Sequence, residues 1–235
     1  MKTTIGIIGG MGPMATCDLM KKIISHTDAR VDQEHVHLLV DCNTDIPDRT
    51  AAIIGSGESP LPEMIKSASR LQAMGAQALV ISCNTAHYFL EDLKKSVDIP
   101  IISILHETAN YLLHCGIHSV AVLGTDGTIQ SGVYGNALKS MGISYIYPSS
   151  DDQQLIMSFI YDYVKAGKEY PHPEKINDMV DRLKNQGAQA LVLGCTELPI
   201  LFANLDVKIP LIDPTDILAR AAILFAQANL KQEAV

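Results

Sequence analysis

The chain has 235 residues, of which 47% are hydrophobic and 19% charged, and it carries a net charge of −8. That is the composition of a globular protein of one or two domains. Without a basic cluster it argues against nucleic acid as a partner, because phosphate binding concentrates Lys and Arg. No apolar run reaches the ~18 residues of a membrane span, and the first residues lack the charged and apolar regions of a signal peptide. A cytoplasmic protein with no membrane partner is the expectation.

Thr4 to Gly9 (TIGIIG) is a short apolar run ending in glycines, which predicts a buried parallel strand. Met14 to His26 has helical spacing, and His37 to Asp41 predicts a second strand. Asn43 to Pro60 is rich in Asp, Gly, Ser and Pro and predicts a long loop, a length that in compact domains usually marks function or disorder. Leu61 to Met74 predicts a helix closed by Gly75, and Ala78 to Ser82 a strand running into Cys83. Strands and helices alternate to the C-terminus, the pattern of an α/β fold with parallel sheets.

The sequence repeats itself. Gly75 to Cys83 reads GAQALVISC and Gly187 to Cys195 reads GAQALVLGC, identical at seven of nine positions. Ile5 to Gly9 (IGIIG) matches Val120 to Gly124 (VAVLG), and Val97 to Ile102 (VDIPII) matches Val207 to Ile212 (VKIPLI). Chance likeness between apolar strands could cover one such block but not three in the same order. Two similar halves of roughly 110 residues follow, an ordinary domain size. The division is drawn at residues 1–98 with 210–235 for the first half and 99–209 for the second.

Five cysteines, at 17, 42, 83, 115 and 195, are an odd number, and reduced thiols are expected. There is no CxxC or HExxH, so a zinc site is not expected. Most free cysteines are small buried apolar residues. Cys83 and Cys195 differ because they occupy matched strand ends, where ligands bind in open parallel sheets. If the halves face each other about a pseudo-twofold axis, both thiols reach one cleft. Two proton-transfer groups on opposite faces of one carbon are what stereoinversion requires. A thiol with a reference pKa near ~8.5 needs only a modest downward shift to serve, and N–H groups at the starts of the following helices would favour that shift.

At these residues the chain resembles the aspartate/glutamate racemase superfamily over essentially its whole length. The motifs are GGMGP (Gly9 to Pro13), IPDRT (Ile46 to Thr50), CNTAH (Cys83 to His87), LGT (Leu123 to Thr125) and GCTELP (Gly194 to Pro199). GGMGP and IPDRT match the aspartate racemase branch. Glutamate racemases typically carry DSGxGG at the first strand and a His after the second Cys-Thr, where this chain has Met11 and Glu197. The resemblance implies two flavodoxin-like, doubly wound halves with the active site in the cleft between them, no pyridoxal phosphate, no metal and a homodimer. It implies aspartate as the substrate and Cys83 and Cys195 as alternating acid and base. Asn84, Thr85 and Thr196 match residues that hold the α-carboxylate and α-amino group, and Arg49 matches the arginine that binds the side-chain carboxylate. Lys165 is similar to a lysine that assists there, and Met11 and Thr125 match pocket-lining positions.

Each residue also has a plainer reading. Arg49 could be a solvated loop charge, although a planar guanidinium suits a carboxylate and the loop could close over a ligand. Lys165 could lie on a helix surface. Glu197 could bind the substrate ammonium, orient its loop or cap a helix. Cys42 reads as core or pocket wall, and Cys17 and Cys115 as structural. His87 is assigned no proton-transfer role. The alternatives are racemisation of glutamate or of several amino acids, a small-diacid isomerase, and a non-catalytic two-lobed binding protein.

Overall fold

The structure, a computed structural model, describes residues 2–168, 170–203 and 205–231. The chain divides into two compact units, Met1–Glu107 with Thr215–Val235, and Thr108–Pro214. The first unit contains β1 (Ile5–Gly9), α1 (Pro13–His26), β2 (Leu38–Cys42), α2 (Arg49–Ile53), α3 (Leu61–Ala73), β3 (Ala78–Ile81), α4 (Leu90–Lys94) and β4 (Ile101–Ile102). Helix α5 (Ile104–His114) carries the chain into the second unit. There follow β5 (Ser119–Leu123), α6 (Asp126–Gln130), α7 (Val133–Ser140), β6 (Ser144–Ile146) and α8 (Ser150–Ser158). A π-helical turn at Phe159–Val164 continues α8, before α9 (Pro173–Asn185), β7 (Ala190–Leu193), α10 (Leu198–Phe202) and β8 (Leu211–Ile212). Helix α11 (Pro214–Phe225) returns to the first unit.

Each unit holds one four-stranded, wholly parallel sheet, ordered β2-β1-β3-β4 in the first and β6-β5-β7-β8 in the second. The predicted pair of similar α/β halves is therefore what forms. Strands β1, β3 and β7 are buried at every residue, as central parallel strands covered on both faces must be. The registers also repeat: Ile5 pairs with Ala78, and Val120 with Ala190. Leu79 pairs with Ile101, and Leu191 with Leu211.

The helix before each repeat packs in the same way. In α3 the buried residues are Met64, Ser67, Ala68 and Leu71; in α9 they are Ile176, Met179, Val180 and Leu183. Both sets follow the i, i+3, i+4, i+7 spacing of a single apolar stripe. The repeat itself then performs a fixed structural task. Gly75 and Gly187 end the helices at φ +101° and +98°, a conformation that side chains disfavour. The Gln77 side chain accepts a hydrogen bond from Thr4 N, and the Gln189 side chain accepts from Ser119 N. These two contacts fix where β1 and β5 start against their neighbours.

Some expectations need correction. The Asn43 to Pro60 loop is not structureless, since Asp48 caps the short helix α2 by accepting from Ala51 N at 2.7 Å. Cys42 is exposed rather than core, because β2 is an edge strand; Cys17 and Cys115 are exposed as well. Among the described residues no helix is long and apolar enough to cross a membrane.

Gly75→Ala and Gly187→Ala form a matched pair with open space around either new methyl group. Backbone strain alone should then destabilise each by about 1–2 kcal/mol. Urea unfolding of both variants beside the parent protein measures this.

Candidate active site

In the first unit, β1 runs into the turn that carries Met11. Gly10 there has φ +90°, and a Cβ on it would lie 2.1 Å from the carbonyl oxygen of Asn43. The glycine thus permits the first-strand turn to lie against the long loop. Gly10 N donates to Thr16 Oγ1 at 2.9 Å, and Thr16 Oγ1 lies 3.0 Å from Ser82 Oγ. The turn is in this way tied to the residue immediately before Cys83.

Met11, Ile46 and Cys83 share one core cluster. Cys83 is 7% exposed, and Asn84 and Thr85 are buried beside it. The segment after Cys83 is a 3-10 turn, Thr85–Phe89, rather than a regular helix. Helix α2 packs against that turn, which brings Arg49 to the same region. The Arg49 guanidinium donates through Nη1 to the carbonyls of Pro47 and Ile46, and through Nη2 to the carbonyl of Met11 at 3.2 Å. Its Nε is buried and has no hydrogen-bond acceptor among the described residues. Met11, Arg49, Cys83, Asn84 and Thr85 therefore gather at the carboxyl ends of β1 and β3.

His87, given no proton-transfer role from the sequence, is a positioning element. Its ring is buried; Nδ1 lies 2.9 Å from the Cys83 carbonyl, and Nε2 accepts from Ile104 N at 3.2 Å. Since Nε2 accepts, Nδ1 carries the hydrogen and donates to Cys83 O. Burial lowers the His87 pKa to about 4, so the ring is neutral at physiological pH. Both nitrogens are committed, which explains why it serves as a clamp on the Cys83 loop and not as a proton carrier.

In the second unit, Cys195 is 8% exposed, two residues beyond β7, as Cys83 is two residues beyond β3. The intervening residue is Gly194 in place of Ser82. A Cβ at Gly194 would meet Leu123 O at 2.8 Å, and Gly194 N donates to that oxygen at 2.7 Å. The Cys195 thiol donates to Glu197 Oε2 at 2.9 Å, and Thr196 Oγ1 donates to the same oxygen at 3.0 Å. Glu197 thus engages the cysteine itself. Lys165 Nζ lies 4.0 Å from Glu197 Oε1 and 4.4 Å from the centre of the Tyr161 ring. The π-helical turn packs on α10 and so delivers Lys165 to this cluster. Tyr161 was missed in the sequence, although Tyr161 and Lys165 stand four residues apart, the spacing of neighbours on one helix face.

Thr125 is buried and caps α6, its Oγ1 accepting from Thr128 N at 3.3 Å. Its loop adjoins the Cys195 loop through Gly124, where a Cβ would lie 3.3 Å from Gly194 O. The expectation of a lowered thiol pKa fails at Cys195. Burial, then the Glu197 carboxylate, push that thiol well above its ordinary range, while the backbone N–H of Glu197 and then Lys165 act in the opposite direction. Helix α10 is only five residues long and begins at Leu198, so it offers little dipole to offset them. Among the described residues, no group of three or more His, Cys, Asp or Glu side chains is placed to hold a metal ion.

Comparison with known proteins places this arrangement in context. The chain is 28% identical to a broad-specificity amino-acid racemase of Bacillus subtilis over 224 residues, which cover 93% of this chain and 96% of that protein. It is 32% identical to a glutamate racemase of Bacillus cereus over 133 residues, or 54% of this chain and 47% of that one. Among solved structures, the Picrophilus torridus aspartate racemase superposes with a TM-score of 0.82 at 32% identity, covering 97% of this chain and 96% of that one. The sequence model of Asp/Glu/hydantoin racemases matches residues 8–222, and with that span the chain belongs to the Asp/Glu/hydantoin racemase family.

Proposed function

We propose that the protein racemises aspartate without a cofactor, with Cys83 and Cys195 alternating as proton acceptor and proton donor at the α-carbon. The observation that carries this reading is the equivalence of the two thiols. Each is buried, each lies two residues past the matching central strand, and each is followed by a threonine within two residues. The fold accounts for the glycine, the glutamine and the apolar residues of the repeat.

In the proposed reaction the thiolate of one cysteine removes the α-proton. The electron pair left on carbon delocalises into the α-carboxylate. The thiol of the other cysteine then supplies a proton to the opposite face. The α-hydrogen is a very weak acid, so the developing charge on the carboxylate needs fixed donors in a dry pocket. Asn84, Thr85 and Thr196, buried next to the two cysteines, fill that role in this reading. Arg49 binds the side-chain carboxylate. Its buried Nε–H and the remaining Nη2–H offer the side-on fork that a carboxylate accepts.

The Bacillus subtilis relative supports a second reading, in which several amino acids are substrates, because its similarity extends over nearly the whole chain. Free amino acids incubated with the protein and resolved by chiral chromatography separate the two: turnover confined to aspartate supports the first, and turnover across a panel supports the second.

Cys83→Ser and Cys195→Ser should each lower aspartate racemisation by at least ~100-fold, since a serine hydroxyl cannot supply the base. In D2O the inverted product should carry deuterium at the α-carbon while unreacted substrate stays largely unlabelled. Full activity in either variant would refute the two-thiol mechanism.

Arg49→Ala should reduce kcat/KM for aspartate by about 10- to 100-fold, the cost of one charged hydrogen-bonding partner. Any turnover of alanine, which has no side-chain carboxylate, should fall much less. Equal losses for both substrates would assign Arg49 to holding its loop against Met11 instead.

A further inference from the structure

The two thiols occupy equivalent positions but different surroundings. At Cys83 the local clamp grips the backbone, through His87 and the Cys83 carbonyl. At Cys195 the contact is made by the sulfur, whose S–H points at Glu197 Oε2. That same oxygen accepts from Thr196 Oγ1, which fixes the carboxylate in place. A carboxylate can only accept, so this geometry suits the thiol and repels a thiolate.

We infer that Glu197 is a positioning residue that keeps Cys195 protonated between turnovers, so that the resting protein favours one of the two protonation forms a two-thiol racemase must pass through. The inference rests on the two-thiol reading above and deepens it. One enantiomer then meets the form that is already prepared. The other must wait for a proton to leave Cys195.

Among the described residues, three titratable groups bear on Cys195. Glu197 lies on its own loop, Lys165 follows the π-helical turn, and Tyr134 comes from α7. Tyr134 is fully buried, and that burial keeps its phenol protonated. Asp213 lies near Tyr134 and acts on it in the same direction. Lys165 remains as the cation that opposes Glu197. A substrate carboxylate that drew Lys165 toward itself would strengthen the hold of Glu197 on the thiol proton.

The test reads each thiol separately. The intact protein is alkylated with iodoacetamide across neutral to alkaline pH, and the Cys83 and Cys195 peptides are quantified by mass spectrometry. In the parent protein Cys195 should reach half-maximal reactivity above the ~8.5 of a free thiol. Glu197→Gln, with circular dichroism confirming its fold, should speed Cys195 alkylation at neutral pH about tenfold, the scale of one lost charged hydrogen-bond partner, and leave Cys83 unchanged. Lys165→Met should move the Cys195 profile the other way. That variant and the parent profile still decide the matter if Glu197→Gln does not fold.

Catalysis adds a readout that a purely structural role would not move. Enantiomers have equal free energy, so kcat/KM must stay equal in the two directions. Glu197→Gln should nevertheless change the ratio of the two kcat values. An unshifted or upward-shifted Cys195 profile in Glu197→Gln, or an unchanged kcat ratio, would overturn the inference. Full racemisation by Cys83→Ser or Cys195→Ser would instead overturn the two-thiol reading, while the alkylation profiles would still report on Glu197.

Discussion

Everything in each unit depends on the register between its two central strands. Glycine ends the preceding helix, the glutamine side chain receives the amide at the start of the first strand, and the next four residues run buried alongside it. A parallel ladder buried on both faces tolerates no slip, because a shift of one residue would turn every side chain to the wrong face. The residue two places beyond the ladder is therefore set in space as firmly as the ladder itself. In both units that residue is a cysteine.

This separates two layers of information in one repeat. Six identical residues, Gly75 to Val80 in the first copy, serve folding; the seventh, the cysteine, is the one the proposed reaction uses. The two differences also have physical causes. Ser82 can lie beside Thr16 and take part in the hydrogen bonds of the first turn. At Gly194 a side chain would strike Leu123 O, so glycine is required there. Duplication supplied a common frame, and local packing then made the two copies unequal.

The inequality reaches the two sulfur atoms. A pair of acid–base groups built on repeated structure suggests two matched thiols, each tuned downward by the start of a helix. The elements that follow the cysteines are short, a 3-10 turn in one unit and a five-residue helix in the other. The sulfur of Cys195 is governed instead by burial and by an acidic neighbour two residues along the chain. Its protonation is decided by contacts within about 4 Å and by desolvation, terms that local sequence spacing does not report.

What the sequence determined is what local pattern encodes. Apolar runs gave the strands, i, i+3, i+4, i+7 spacing gave α3 and α9, and the repeated GAQALV gave the two-unit organisation, because these follow from backbone periodicity and turn conformation. The cysteine pair and the Asn-Thr and Thr-Glu residues after them were legible for the same reason, since they sit at the ends of those elements. What only the tertiary structure decided is which atoms meet. Asp48 makes a helix inside an apparent loop, and Arg49 reaches the carbonyl of Met11 across 38 residues. Lys165 arrives beside Glu197 on a π-helical turn, and the Glu197 side chain folds back onto the Cys195 sulfur. Such contacts depend on the direction each side chain takes, and for Arg49 and Lys165 on packing between elements distant in the chain, and no periodicity in the sequence records them.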